Sequence, residues 1–176
     1  MAYITRESGS VLRDPGAIKN FLADHGVLWE YWAPEILPER LRTGLDLNDS
    51  EKEELLGQFQ NELDRLAHEF GYISHDVIIL HADTTPNLDD LLTNFQKEHH
   101  HSEDEVRFVV DGEGIFTLTR NGERFAVTVM PGDLISVPRG TRHCFTLTNS
   151  RYVKAVRLFQ TKEGWVAIYD ASQHVS

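Results

Sequence analysis

Apolar residues recur along this chain in two different rhythms, and the change falls close to residue 100. Before it the spacing is helical. Ile18, Phe21 and Leu22 form a stripe behind Asp14-Pro15, an N-cap followed by a proline at the first helical position, and Gly26 ends the segment. A longer helix is predicted over Glu51 to Phe70, where Leu55, Leu56, Phe59, Leu63, Leu66 and Phe70 repeat at helical spacing between Asn48-Asp49-Ser50 and Gly71. Pro86 to Gln96, with Leu88, Leu91, Leu92 and Phe95, predicts a third helix, and Asp76 to Leu80 reads as a buried strand.

From Glu105 onward the period becomes two, with turn residues at short intervals. The predicted strands are Val106 to Val110, Gly114 to Arg120, Arg124 to Val129, Leu134 to Val137, His143 to Thr148, Val153 to Phe159 and Trp165 to Ile168. Asp111-Gly112, Asn121-Gly122 and Pro131-Gly132 separate the first four as tight turns, and Asn-Gly is the strongest hairpin signal among them. The pattern predicts an antiparallel sandwich or small double-sheet barrel, preceded by helical connectors.

A chain of 176 residues can bury a core without disulfides. With no internal repeat and no low-complexity linker, it is expected to form one domain. Cys144 is the lone cysteine, so an intramolecular disulfide is excluded and a reducing cytoplasm is consistent. The start of the chain has no apolar core behind a basic segment, and no stretch approaches bilayer-spanning length, so a soluble cytoplasmic protein is expected. Asp and Glu outnumber Lys and Arg by 28 to 17, a net charge of -11 that argues against nucleic acid as a partner.

The candidate chemistry sits where the rhythm changes. His99, His101 and Glu105 form H-x-H-x3-E, and His143 follows a Pro/Gly turn at the start of a later strand. In an extended segment His99, His101 and Glu105 have one parity and share a face, while His100 points away. Imidazoles plus a carboxylate suit Fe(II), Ni(II), Mn(II), Zn(II) or Cu(II), and suit Ca(II) poorly. A solvated His-rich turn is the plainer alternative. Phe145 shares the parity of His143 and is expected to wall the same interior. Arg107 shares the parity of Glu105, and an inward arginine requires either an acid such as Glu103 or Glu113 or an anionic ligand.

These residues resemble the cupin superfamily. Its first motif matches His99 to Glu105 with Gly112, and its second matches Pro131-Gly132-Asp133 and Pro138-Arg139-Gly140-Thr141-Arg142-His143. Within cupins the chain is similar to the acireductone dioxygenases of methionine salvage. The carriers are Gly71-Tyr72, Asp76-Val77-Ile78, the run from Glu98 to Phe108, Asp133 to Pro138, and Gly164-Trp165.

The resemblance implies a mainly β fold, a cupin double-stranded β-helix or jelly-roll-like barrel with N-terminal α-helices packed outside. Residues 1–97 would supply helices and connecting strands, 98–170 the metal-binding barrel and 171–176 a tail. It implies one Fe(II) or Ni(II) per chain, held by His99, His101, Glu105 and His143. Arg107 is implied to help generate and hold the substrate dianion, and Phe95, Phe108, Phe145 and Trp165 correspond to pocket residues. Glu98 and Asp104 match positions linked to metal incorporation or conformational coupling.

The implied reaction is cleavage of the acireductone 1,2-dihydroxy-3-keto-5-methylthiopentene by O2. Iron would give formate and 4-methylthio-2-oxobutanoate; nickel would give formate, CO and 3-methylthiopropanoate. A monomer without nucleic-acid or membrane partners is expected. Another cupin dioxygenase, acting on a thiol or a flavonol, and a non-catalytic metal-binding cupin are the competing readings.

Overall fold

The computed structural model describes residues 1–169, and the tail expected over 171–176 lies outside them. In chain order the strands are β1 Tyr3–Arg6, β2 Val11–Leu12, β3 Leu28–Tyr31, β4 Ser74–His81, β5 Glu105–Gly112, β6 Gly114–Arg120, β7 Glu123–Val129, β8 Asp133–Val137, β9 Arg142–Leu147 and β10 Tyr152–Phe159. The helices are α1 Pro15–Asp24, α2 Glu39–Thr43, α3 Asp49–Gln58, α4 Gln60–Phe70 and α5 Leu88–Phe95. Among the described residues, no helix is long and apolar enough to cross a membrane.

The strands form two antiparallel five-stranded sheets, ordered β2-β1-β7-β6-β9 and β3-β8-β5-β10-β4. Only Asn121-Gly122 makes the expected hairpin, with both residues at positive φ (51° and 77°), a conformation that suits the right-handed twist of paired strands. Asp111-Gly112 and Pro131-Gly132 instead carry the chain from one sheet to the other. This alternation wraps the sheets around a shared interior, the jelly-roll arrangement expected from the sequence. Phe116, Leu118, Phe125 and Val127 of the first sheet there meet Ile135, Val137, Val109 and Ala155 of the second.

The barrel is not confined to 98–170, because β1 and β2 belong to the first sheet and β3 and β4 to the second. These early strands are too short, or too mixed in burial, for their period to stand out against the helical segments around them. β4 is half-buried and lies at a sheet edge. The second sheet is covered on its outer face as well, where Leu41, Leu55, Phe59, Leu63 and Leu66 of α2, α3 and α4 pack on Val106, Phe108, Leu134 and Val156. With both faces covered, β5 and β8 lose the alternation of a half-buried strand.

The single helix expected over Glu51–Phe70 is two. Asn48 opens α3 with a full capping box to Glu51, and the helix breaks at Phe59, whose φ/ψ of -111°/19° turns its ring inward. Gly57, a weak helix former just before the break, lowers the cost of that departure. Phe70, expected on the apolar stripe, is exposed. Trp165–Ile168 is not a strand. Only Ile168 pairs, through two backbone hydrogen bonds with His100, because the Val166 carbonyl is used by a side chain.

Candidate metal centre

Four side chains converge at one end of the barrel interior. The chain is locally extended at His99, whose N–H and C=O exchange hydrogen bonds of 2.9 Å with those of His143. That isolated antiparallel bridge puts two histidines directly opposite each other, their ring centroids 4.6 Å apart. His101, two residues on, falls on the same face, with its ring 4.9 Å from His99 and 5.1 Å from His143. His100 is turned away, as parity requires.

The extended path does not continue to Glu105 as expected. The chain bends at Ser102 and Glu103, and Glu105 joins the group as the first inward residue of β5. His143 is delivered by the turn Pro138-Arg139-Gly140-Thr141, in which Thr141 N–H reaches Pro138 O and Gly140 takes a φ of 75°. All four residues are buried, and one ligand atom from each lies within 4.8 Å of the others.

Hydrogen bonding fixes the imidazole orientations. Nδ1 of His99 donates to Lys97 O (2.6 Å), Nδ1 of His101 to Val166 O (2.9 Å) and Nδ1 of His143 to Thr141 O (2.8 Å). A carbonyl oxygen can only accept, so the proton of each neutral ring sits on Nδ1 and Nε2 presents a lone pair. Nε2 of His101 and of His143 both approach Glu105 Oε2, at 2.9 and 2.7 Å. Two lone pairs aimed at one carboxylate oxygen repel unless a proton or a cation lies among them. The donor set therefore fits a divalent transition metal, with each imidazole oriented from behind by a carbonyl, as metal-bound histidines commonly are.

Electrostatics agree. Burial pushes the Glu105 carboxyl up, but the Arg107 guanidinium and the close approach of His101 and His143 outweigh it and hold the group well below the usual carboxylate range. Burial lowers His99. It acts the same way on His101, where the hydrogen bond and charge of Glu105 reverse the direction.

Arg107 faces inward, and its partner is neither Glu103 nor Glu113 but Glu105, through Nε to Oε1 at 3.0 Å. Glu105 thus turns one oxygen to the histidines and the other to Arg107. The guanidinium stands over the Phe145 and Trp165 rings, 4.9 and 5.0 Å from their centroids. Phe95, Phe145 and Trp165 line the adjoining cavity of about 210 Å³.

Phe108 does not. Being of opposite parity to Arg107, it points to the outer face of the sheet and packs on Trp32 and Phe59. Phe108→Ala is accordingly expected to cost about 3–5 kcal/mol of stability while leaving KM unchanged. Urea unfolding and steady-state kinetics check both parts.

Glu98 pairs with Arg124 at the surface, and Asp104 accepts from the Arg139 N–H and exchanges hydrogen bonds with Gln160. Neither belongs to the ligand cluster. Ile78, Leu80, Arg157 and Phe159 also line the cavity without having been expected there. An arginine inside the apolar run of β10 was the available signal for one of them.

A model of the ARD/ARD' family matches residues 37–167. The chain is 49% identical over 168 residues to the acireductone dioxygenase of Bacillus pumilus, covering 95% of each protein. It is 40% identical over 170 residues to that of a Sulfurihydrogenibium species, covering 97% of this chain and 94% of that protein. A solved structure of the Bacillus anthracis acireductone dioxygenase, described with a cadmium ion in its active center, superposes with a TM-score of 0.92 at 47% identity, covering 96% of this chain and 98% of that one.

Proposed function

Because the chain belongs to the ARD/ARD' family and is an acireductone dioxygenase with a buried His/Glu metal-binding site, we propose that it cleaves 1,2-dihydroxy-3-keto-5-methylthiopentene with O2 in methionine salvage. One Fe(II) or Ni(II) per chain is held by His99, His101, Glu105 and His143. With iron bound the products are formate and 4-methylthio-2-oxobutanoate; with nickel they are formate, CO and 3-methylthiopropanoate. The observation that carries this reading is the tautomer pattern, in which three Nδ1–H groups are tied to carbonyls and the Nε2 lone pairs meet a carboxylate. The cadmium reported in the active center of the Bacillus anthracis relative is a further support.

When bound, the metal supplies Lewis acidity and a template for two substrate oxygens. The protein's own groups do the rest. Arg107, fixed by Glu105 and by aromatic rings on which it lies, offers positive charge where the ene-diol loses its second proton. Phe95 and Phe145 give the alkyl chain an apolar wall and keep water from the reacting carbons. Trp165 lines the same cavity against Phe159, their ring centroids 4.8 Å apart. Asp104, bonded to Arg139 ahead of His143 and to Gln160, joins two segments that carry site residues, which supports its assignment to conformational coupling. For Glu98 only adjacency to His99 supports a role in metal incorporation.

Anaerobic reconstitution with iron and nickel separately, followed by acireductone and O2, tests the proposal. Formate from both forms and CO from the nickel form alone are expected. Absence of O2 consumption with either metal would refute it.

A further inference from the structure

Two arginines stand side by side on one wall of the cavity. In the pairing of β10 with β5, Arg157 lies directly opposite Arg107. Both line the cavity, and both guanidiniums face the Trp165 ring, Arg107 at 5.0 Å and Arg157 at 5.7 Å from its centroid. Like charges directly opposite on one sheet face are destabilising, so the pair calls for compensating negative charge.

Each arginine has one carboxylate. Arg107 has Glu105 Oε1. Arg157 donates from Nε and Nη2 to the two oxygens of Asp76, at 2.8 and 2.6 Å, and Asp76 is its cross-strand neighbour on β4. Asp76, Arg157 and Arg107 therefore form a single row across three strands. Among the described residues the bonds to Asp76 use Nε and Nη2 of Arg157, whose guanidinium also lies 5.1 Å from the Phe159 ring centroid and whose side chain keeps 28% of its exposure.

Within the protein the two guanidiniums are balanced by Glu105 and Asp76, so the excess positive charge arises only with a bound metal. A divalent ion among the four donors, together with two guanidiniums, opposes only Glu105 and Asp76, leaving two positive charges in excess. A dianion neutralises that excess, whereas a monoanion neutralises half of it. We propose that Arg157, held in place by Asp76, is a second anion-positioning residue of this site, and that the row Asp76, Arg157, Arg107 matches the cavity to a doubly charged substrate. The inference rests on the functional reading above and adds a residue to it. It places one guanidinium at the metal-side carboxylate and a second one further along the wall, where the outer oxygen of a delocalised ene-diolate would find it.

The test uses the zinc-loaded protein, which is inert to O2, with oxalate as the dianionic probe and acetate as the monoanion, followed by calorimetry. Arg157→Met is expected to weaken oxalate binding about tenfold or more and acetate binding less, with zinc affinity unchanged. Arg157→Lys should recover part of the loss. Asp76→Asn, which removes negative charge while keeping the arginine, should bind oxalate at least as tightly as wild type. In the iron-loaded enzyme, Arg157→Met should raise KM more than it lowers kcat.

An Arg157→Met variant that binds oxalate as wild type does would overturn the proposal. So would equal losses in Arg157→Met and Asp76→Asn, since Arg157 would then merely strap β10 to β4. Failure of the wild-type iron and nickel forms to consume O2 with acireductone would overturn the functional reading, and the oxalate measurement distinguishes that outcome from failure of the Arg157 role.

Discussion

Replacing His143 with alanine is expected to remove bound metal and turnover together while leaving both sheets folded. The loss is local because the bonds that join His143 to His99 are backbone bonds, which alanine keeps. The side chain is buried, with Nδ1 anchored on Thr141 O and Nε2 at Glu105, so its removal takes one of the four donors. Disturbing a residue that merely orients a ligand costs about 10–100-fold in metal affinity, and loss of the ligand itself should exceed that. The fold survives because Glu105 still has Arg107 and His101 and is not left as an unpaired buried charge. Metal analysis after dialysis, O2 consumption and far-UV circular dichroism give the three readouts. Stoichiometric metal with full activity would remove His143 from the ligand set, and His99→Ala is expected to behave alike.

Arg107→Met should separate metal binding from chemistry. Methionine keeps much of the apolar stem among Phe116, Phe145 and Trp165 but removes the charge. Glu105 would still bind through Oε2, so metal is retained, while turnover falls by about 10²–10³-fold, the cost of losing one fixed group that stabilises developing charge. Stability should respond differently with and without metal. In the metal-free protein the substitution leaves the buried Glu105 carboxylate without its main counter-charge, a cost of about 3–5 kcal/mol, and a bound cation restores most of it. Thermal unfolding of the two forms measures that difference, and wild-type kinetics in the variant would end the assignment of Arg107 to substrate charge.

Much of the barrel was legible because its strands carry their own punctuation. Gly114–Arg120 ends at Asn121-Gly122, and the helix caps at Asp14 and Asn48 act within a few residues of where they stand. The misplaced features depend on distant partners. The resemblance put Phe108 in the pocket, but strand parity sends it to the outer face under α3 and α4, whose arrival there nothing local announces. Trp165–Ile168 has strand-like residues, yet one of its carbonyls is held by His101, far away along the chain. β1 and β3 are too short to show a period, and pairing with β7 and β8 makes them strands.

The same division holds for the site. Which residues offer donor atoms follows from the sequence alone, since H-x-H-x3-E and the P-x-G-x2-H turn place the residue types and parity turns His100 away. Their assembly belongs to the tertiary structure. The bridge between His99 and His143 and the Val166 carbonyl that holds the His101 ring join segments far apart in the chain, whereas the carbonyls of Lys97 and Thr141 act two residues from the rings they orient. The Asp76–Arg157–Arg107 row exists only because β4, β10 and β5 are neighbours in one sheet. Local spacing decides which way a side chain faces, and long-range pairing decides what it meets there.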